Sequence, residues 1–249
     1  MTILSILFFL TAILYSSVGF GGGSTYLALL LIWDIPYYIF PIIALICNII
    51  VVSGNLFNYI RAGNYNIKLL IPFLIGSIPF AFIGGTLIIK KDIFEILLFL
   101  VLSIAGLLLL IKNNSYDDKN LIINKINIFI SLSIGSVLGV ISGIVGIGGG
   151  IFLSPILFLL KAEKPKIIAT TASLFIFINS ISGILGQLTK ETIINEITNY
   201  WLLFLCVFFG GLIGNYINLK ILSNRKLAVI TSLLVIFVAL RMGYKIFFK

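Results

Sequence analysis

Histidine is absent from the chain, and acidic residues number only eight in 249. The first absence removes the commonest metal ligand and the commonest general base near neutral pH. The eight acids all fall in polar connections or at the ends of apolar runs. No carboxylate is therefore placed in mid-membrane, where proton relays and cation sites need one. Cysteine occurs twice, as Cys47 and Cys206, both inside apolar stretches. That excludes a disulfide framework and a cysteine-based metal site. Charged residues make up 10% of the chain, against about 25% in soluble domains. The expected protein has no metal and no cofactor, and it is not an enzyme, because no nucleophile–base pair is available.

What stands in place of these residues is hydrocarbon. Hydrophobic residues reach 60% and the mean hydropathy is +1.22. Eight apolar runs cover 3–32, 39–60, 67–89, 93–111, 126–160, 167–188, 200–222 and 227–248. Several approach or exceed the ~20 residues that cross a bilayer. The reading is an all-α polytopic membrane protein. A net charge of +9 would suggest nucleic acid in a soluble protein. Here the cations flank the apolar runs, where they act as topology signals and lipid-headgroup contacts. Membrane lipids and a small anionic substrate are the expected partners, and nucleic acid is not. No Lys or Arg precedes the first run, so it reads as part of the mature fold rather than as a secretory signal.

Glycine carries the strongest signal. The first long run reads SSVGFGGGSTYLALLL, with Gly19, Gly21, Gly22 and Gly23; the fifth reads SGIVGIGGGIFLSPILFLL, with Gly146, Gly148, Gly149 and Gly150. The G-x-G-G-G spacing is identical, and the second copy follows 127 residues after the first. This predicts an internal duplication: a first membrane repeat over 1–112, a connecting loop over 113–125 and a second repeat over 126–249. Small residues also recur in each third run, as Gly76, Gly84 and Gly85 and as Gly210, Gly211 and Gly214. These predict close helix crossings.

A straight helix over 3–32 would be about 45 Å long, against a hydrocarbon core of about 30 Å. If each long run crossed once, the seventeen cations would divide nine against eight. If each is a re-entrant hairpin, one side holds Arg61, Lys68, Lys112, Lys119, Lys125, Lys161, Lys164, Lys166, Lys220, Arg225 and Lys226. The other side then keeps Lys90, Lys91, Lys190, Arg241, Lys245 and Lys249. Only the hairpin arrangement shows the asymmetry of the positive-inside rule. Each half then has a broken-helix hairpin plus three crossings. The odd count makes the halves inverted repeats with a shared site near the midplane.

At each break the new helix would present unpaired N–H groups and the positive end of its dipole. Glycine lets a ligand approach that backbone closely, so the two breaks suit one small anion. The candidate binding residues are Gly19, Gly21, Gly22, Gly23 and Ser24 of the first break and Gly146, Gly148, Gly149 and Gly150 of the second. Asn48, Thr171 and Ser173 are added, because hydroxyls and amides donate to an oxyanion without burying charge. Arg241 sits near the end of its run, where it can snorkel, and is not assigned to the site.

These motifs resemble the sulfite exporter TauE/SafE family of membrane transporters. The second copy matches best, with Pro155 in GIGGGIFLSPILFLL and the stretch from Ala169 to Leu174. The first copy departs: Ala28 stands where Pro155 aligns, and Cys47-Asn48 stands near Ala172-Ser173. The resemblance implies transport of sulfur-containing anions such as sulfite, thiosulfate or organosulfonates. Together the expectations describe a secondary transporter of the bacterial inner membrane, exporting its anion by alternating access. An anion channel of the same architecture and Na⁺-coupled anion uptake are the alternatives. Fused reporters should place both termini outside the cytoplasm. A cytoplasmic carboxyl terminus would contradict the hairpin topology.

Overall fold

A computed structural model describes residues 2–33, 35–111, 123–190 and 196–220, with seven residues between 233 and 244. Most of the expected connecting loop, most of the last apolar run and Arg241 lie outside the described residues. Every long element is an α-helix, and no strand occurs among the described residues. The helices are α1 (Thr2–Val18), α2 (Gly23–Ile32), α3 (Phe40–Arg61), α4 (Ile67–Thr86), α5 (Lys91–Ile111), α6 (Ile128–Val145), α7 (Gly150–Leu159), α8 (Pro165–Gln187) and α9 (Trp201–Lys220). Five helical stretches among the described residues are long and apolar enough to cross a membrane. The protein is an all-α polytopic membrane protein.

Local chemistry sets the helix ends. Pro41 and Pro165 occupy the first turns of α3 and α8, where a missing N–H costs nothing. Asn66 and Asn127 cap α4 and α6 by accepting from Leu69 N at 3.1 Å and Phe129 N at 2.9 Å. The two long runs both break at their glycines. α2 and α7 have ten residues each, about 15 Å, half a hydrocarbon core.

The chain doubles back at both breaks. In the first, Tyr26 of α2 stacks on Phe8 of α1 with ring centroids 4.7 Å apart; a straight continuation would separate them by more than about 25 Å. In the second, Asn124 N, ahead of α6, donates to Lys161 O, beyond α7, at 3.1 Å. Entry and exit of each hairpin therefore lie at the same end of the molecule.

Contact registers give the helix directions. Gly210 backs onto Phe9 O and Gly214 onto Ile13 O, so α9 runs parallel to α1. Val51 faces Gly211 and Asn58 bonds Asn215, which makes α3 parallel to both. Gly76 lies on Leu132 O and Gly84 on Val140 O, while Gly186 lies on Phe82 O; α4, α6 and α8 form a second parallel set. Leu45, early in α3, meets Gly183, late in α8, so the two sets are antiparallel. The first helix of each half packs on the fourth helix of the other, α1 on α9 and α6 on α4.

The charges sort to two ends. Asn66 Nδ2 donates to Glu163 Oε1 at 3.0 Å, gathering Arg61, Lys68, Lys125, Lys161, Lys164 and Lys166 at one end. At the other, Lys190 Nζ donates to Leu87 O at 2.9 Å, in company with Lys90, Lys91, Asp92, Glu95 and Glu196. Gly210→Ala should destabilise by roughly 1–3 kcal/mol, because its Cβ would strike Phe9 O and stand 2.9 Å from Ala12 Cβ. Gly211→Ala should be near neutral, since its Cβ would be 3.7 Å from Val51 Cα. Thermal unfolding in detergent compares them.

Candidate functional site

The first glycine of each motif stops a helix. Gly19 (φ 85°) receives the turn in which Gly19 N donates to Ser16 O at 3.2 Å and Phe20 N to Tyr15 O at 2.9 Å. Gly146 (φ 88°) donates its N–H to Ser142 O at 2.8 Å. Both are left-handed C-terminal caps that residues with a Cβ resist. The last glycines start the next helix: Gly22 (φ 82°) caps α2 and Gly149 (φ 75°) caps α7. Neither cap supplies a side-chain acceptor. The N–H groups of Gly21, Gly22, Gly23 and Ser24 find no acceptor among the described residues. The same holds for Gly148, Gly149, Gly150 and Ile151. All eight residues are buried.

Asn48 of α3 stands between the two breaks. It is wholly buried, and its Nδ2 donates to Gly146 O at 3.3 Å. A Cβ on Gly23 would lie 2.9 Å from that same nitrogen, one on Gly148 3.0 Å from it, and one on Gly21 would strike Asn48 Oδ1. Glycine at these positions is what lets one amide side chain touch both breaks. Ser173 of α8 does the converse, donating to Gly19 O at 2.6 Å. Each half thus holds the helix stop of the other through a polar side chain on its central helix.

The starts of α2 and α7 line one tight cavity, bounded by Gly21 to Ser24 on one side and by Ile147 and Ile151 on the other. Its free volume is about 10 Å³, room for one water molecule. Among the described residues, no charged side chain lines it. Asn48 Oδ1 and Ser180 Oγ are buried without a hydrogen-bond partner, and Ser180 Oγ lies 3.2 Å from a Cβ position on Gly148. The cavity therefore offers backbone donors and helix dipoles, with no fixed charge among the described residues.

Of the expected residues, the structure gathers Gly21, Gly23, Asn48, Gly146 and Gly148 around one amide and joins Ser173 to Gly19. Gly22, Gly149 and Gly150 shape the helix starts, and Ser24 lines the cavity. Thr171 is not brought in: its hydroxyl donates along its own helix to Ile167 O at 2.8 Å. Sequence reasoning missed Tyr15, whose hydroxyl pairs with Thr25 Oγ1 at 2.8 Å and Ser24 Oγ at 3.2 Å, pinning α2 to α1. A tyrosine one turn ahead of a helix break in an otherwise aliphatic run is the signal that would have found it.

Comparison with known proteins gives a consistent picture. Residues 4–242 match the family described as sulfite exporter TauE/SafE. The probable membrane transporter protein y4hK of Sinorhizobium fredii is 26% identical over 242 residues, covering 96% of each chain. The probable membrane transporter protein MJ0441 of Methanocaldococcus jannaschii is 31% identical over 76% of this chain and 73% of its own. The probable membrane transporter protein YunE of Bacillus subtilis is 22% identical, covering 92% of each. No solved structure matches the chain. Ser173→Ala should lower stability by about 1 kcal/mol, the worth of one hydrogen bond, and reduce flux of any transported solute. Thr171→Val should leave both near wild type. Thermal unfolding in detergent and solute flux in liposomes check the pair.

Proposed function

Because the chain belongs to the sulfite exporter TauE/SafE family, we propose that this membrane transporter moves a small sulfur-containing oxyanion outward across the inner (plasma) membrane. The observation that carries the reading is Asn48, whose one side chain touches Gly146 O, Gly148, Gly21 and Gly23. A ligand at that point reaches the donor N–H groups of both helix starts. Oxyanion oxygens accept from those N–H groups, and a singly protonated oxyanion such as bisulfite also supplies an O–H for Asn48 Oδ1. The dipoles of α2 and α7 contribute partial positive charge without the cost of a buried ammonium.

The tightness of the site supports alternating access. A cavity that holds one water molecule admits no oxyanion until the seam between the two helix sets opens. This supports a carrier over a channel. The two crossed bonds, Asn48 to Gly146 O and Ser173 to Gly19 O, lie toward opposite ends of the molecule, and each opens in turn. The antiparallel helix sets support inverted repeats related across the site. The described charges support the orientation: seven cations, Lys220 at the end of α9 included, with one acid at one end face the cytoplasm, and three cations with three acids face outward. α1 starts at the outward end. A negative-inside potential drives anion export by about 2.3 kcal/mol per charge per 100 mV, so no buried acid is needed for coupling.

Liposome flux with sulfite, sulfate, thiosulfate and sulfonates should show saturation and counterflow for at least one. Asn48→Asp, which keeps the shape and adds a negative charge between the breaks, should lower that flux at least roughly tenfold with insertion intact. Gly22→Leu and Gly149→Leu should abolish it. Normal flux in these variants would overturn the paired anion site.

A further inference from the structure

A second cavity opens at the outward end of the molecule, with a free volume of about 100 Å³. Tyr37, Tyr38 and Pro41 form one wall, at the start of α3; Leu87, Ile144 and Lys190 form the other. The first wall belongs to the α1–α3–α9 set and the second to the α4–α6–α8 set, so the cavity lies along the seam between them. Its inner end meets the second break. Pro41 Cα lies 2.5 Å from a Cβ position on Gly146, and Ile144 precedes that glycine by two residues.

Among the described residues, Lys190 is the only charged one lining this cavity. Its Nζ donates to Leu87 O at 2.9 Å and to Gln187 Oε1 at 2.9 Å. Gln187 is wholly buried and passes its own Nε2 to Gly143 O at 2.9 Å. One side chain thus separates the ammonium from the last turn of α6, the turn that ends at Gly146. An ammonium has three donors, and two are used. Burial draws the Lys190 pKa below the ordinary lysine value, and the same exclusion of water strengthens its attraction for an anion. Of the described acids at this end, Glu196 accepts from Tyr38 Oη at 2.8 and 3.0 Å and Glu95 pairs with Lys91 Nζ at 3.9 Å, while Asp92 stands at the start of α5. The remaining surface is aliphatic and aromatic.

We propose that this cavity is an outer receiving site for a small organic anion, a sulfonate or carboxylate head on a short carbon chain. Lys190 holds the head, and the apolar walls hold the chain, beside the helix stop at Gly146. The proposal rests on the reading of the protein as an anion transporter and adds a station to its path. A single cation among apolar walls favours an anion that carries hydrocarbon over a fully hydrated inorganic ion. A lipid phosphate shares that chemistry, so the test separates the two.

Wild-type, Lys190→Gln and Lys190→Arg proteins would be oriented in liposomes and their methanesulfonate flux measured from each face. Lys190→Gln should raise the outer-face KM at least roughly tenfold, the size of one charge-assisted hydrogen bond. The maximal rate and the inner-face KM should change less than about twofold, and Lys190→Arg should restore the outer-face KM. An unchanged outer-face KM, even with reduced thermal stability, would show that Lys190 only caps α4 and would overturn the proposal. Vesicles of phosphatidylcholine alone and with added phosphatidylglycerol should give the same Lys190→Gln effect. An effect confined to the phosphatidylglycerol vesicles assigns the cavity to lipid and overturns it as well.

Two further measurements stand apart from flux. Equilibrium binding of methanesulfonate in detergent should survive in Asn48→Asp and disappear in Asn48→Asp with Lys190→Gln; this separates failure of the outer site from failure of the break site. If Lys190→Gln does not fold, acetylation of wild-type protein, read by mass spectrometry, replaces it. Methanesulfonate should protect Lys190 and leave Lys90 and Lys91 reactive. Equal reactivity of all three with and without methanesulfonate would overturn the site.

Discussion

Everything in this molecule turns on one constraint: backbone N–H and C=O groups in hydrocarbon need partners inside the protein. Two G-x-G-G-G segments violate the helical solution to that constraint in the middle of apolar runs. The carbonyl side of each violation is answered by side chains, Ser173 for Gly19 O and Asn48 for Gly146 O. The donor side is left open, with four N–H groups at each break and no acceptor among the described residues. An open acceptor shell would attract a cation. An open donor shell suits an anion, and no charged residue lines the cavity among the described residues.

Holding two half-length helices in place requires a rigid surround, and glycine supplies that too. Gly135, Gly139 and Gly143 of α6 lie against Phe73 O, Ser77 O and Ala81 O of α4. Gly210 and Gly214 bring α9 onto α1 in the same manner. These crossings bind the hairpin of each half to a crossing helix of the other. Two parallel helix sets result, each carrying one hairpin, with the breaks and both cavities on the seam between them. The two crossed bonds, Asn48 to Gly146 O and Ser173 to Gly19 O, both span that seam.

Much of this was legible in the sequence. Repeated glycine spacing marked both breaks, and the division of cations favoured hairpins over straight crossings, the fold-back that Phe8–Tyr26 and Asn124–Lys161 contacts display. Gly76, Gly84, Gly85, Gly210 and Gly214 do pack on backbone atoms of neighbouring helices; Gly211 makes only ordinary contact. Partner choice was not legible. Spacing shows which face of a helix is small, but not that α1 lies against α9, more than 180 residues away. For the same reason Asn48 was a candidate without a role: its place between the breaks depends on how α3 crosses the other half's hairpin. Thr171 and Ser173 sit two residues apart on one helix, so they face different ways, and only the packed structure separates the one that reaches a break from the one that does not.

The central claim is that both breaks bind one anion together through backbone donors. Amide NMR of ¹⁵N-glycine-labelled protein, titrated with sulfite in micelles, tests it most directly. The account predicts that the Gly22, Gly23, Gly149 and Gly150 amides shift together, saturate with a single dissociation constant and leave the exposed turn at Gly63 unmoved. Shifts confined to one cluster, or two clusters saturating with different constants, would contradict it.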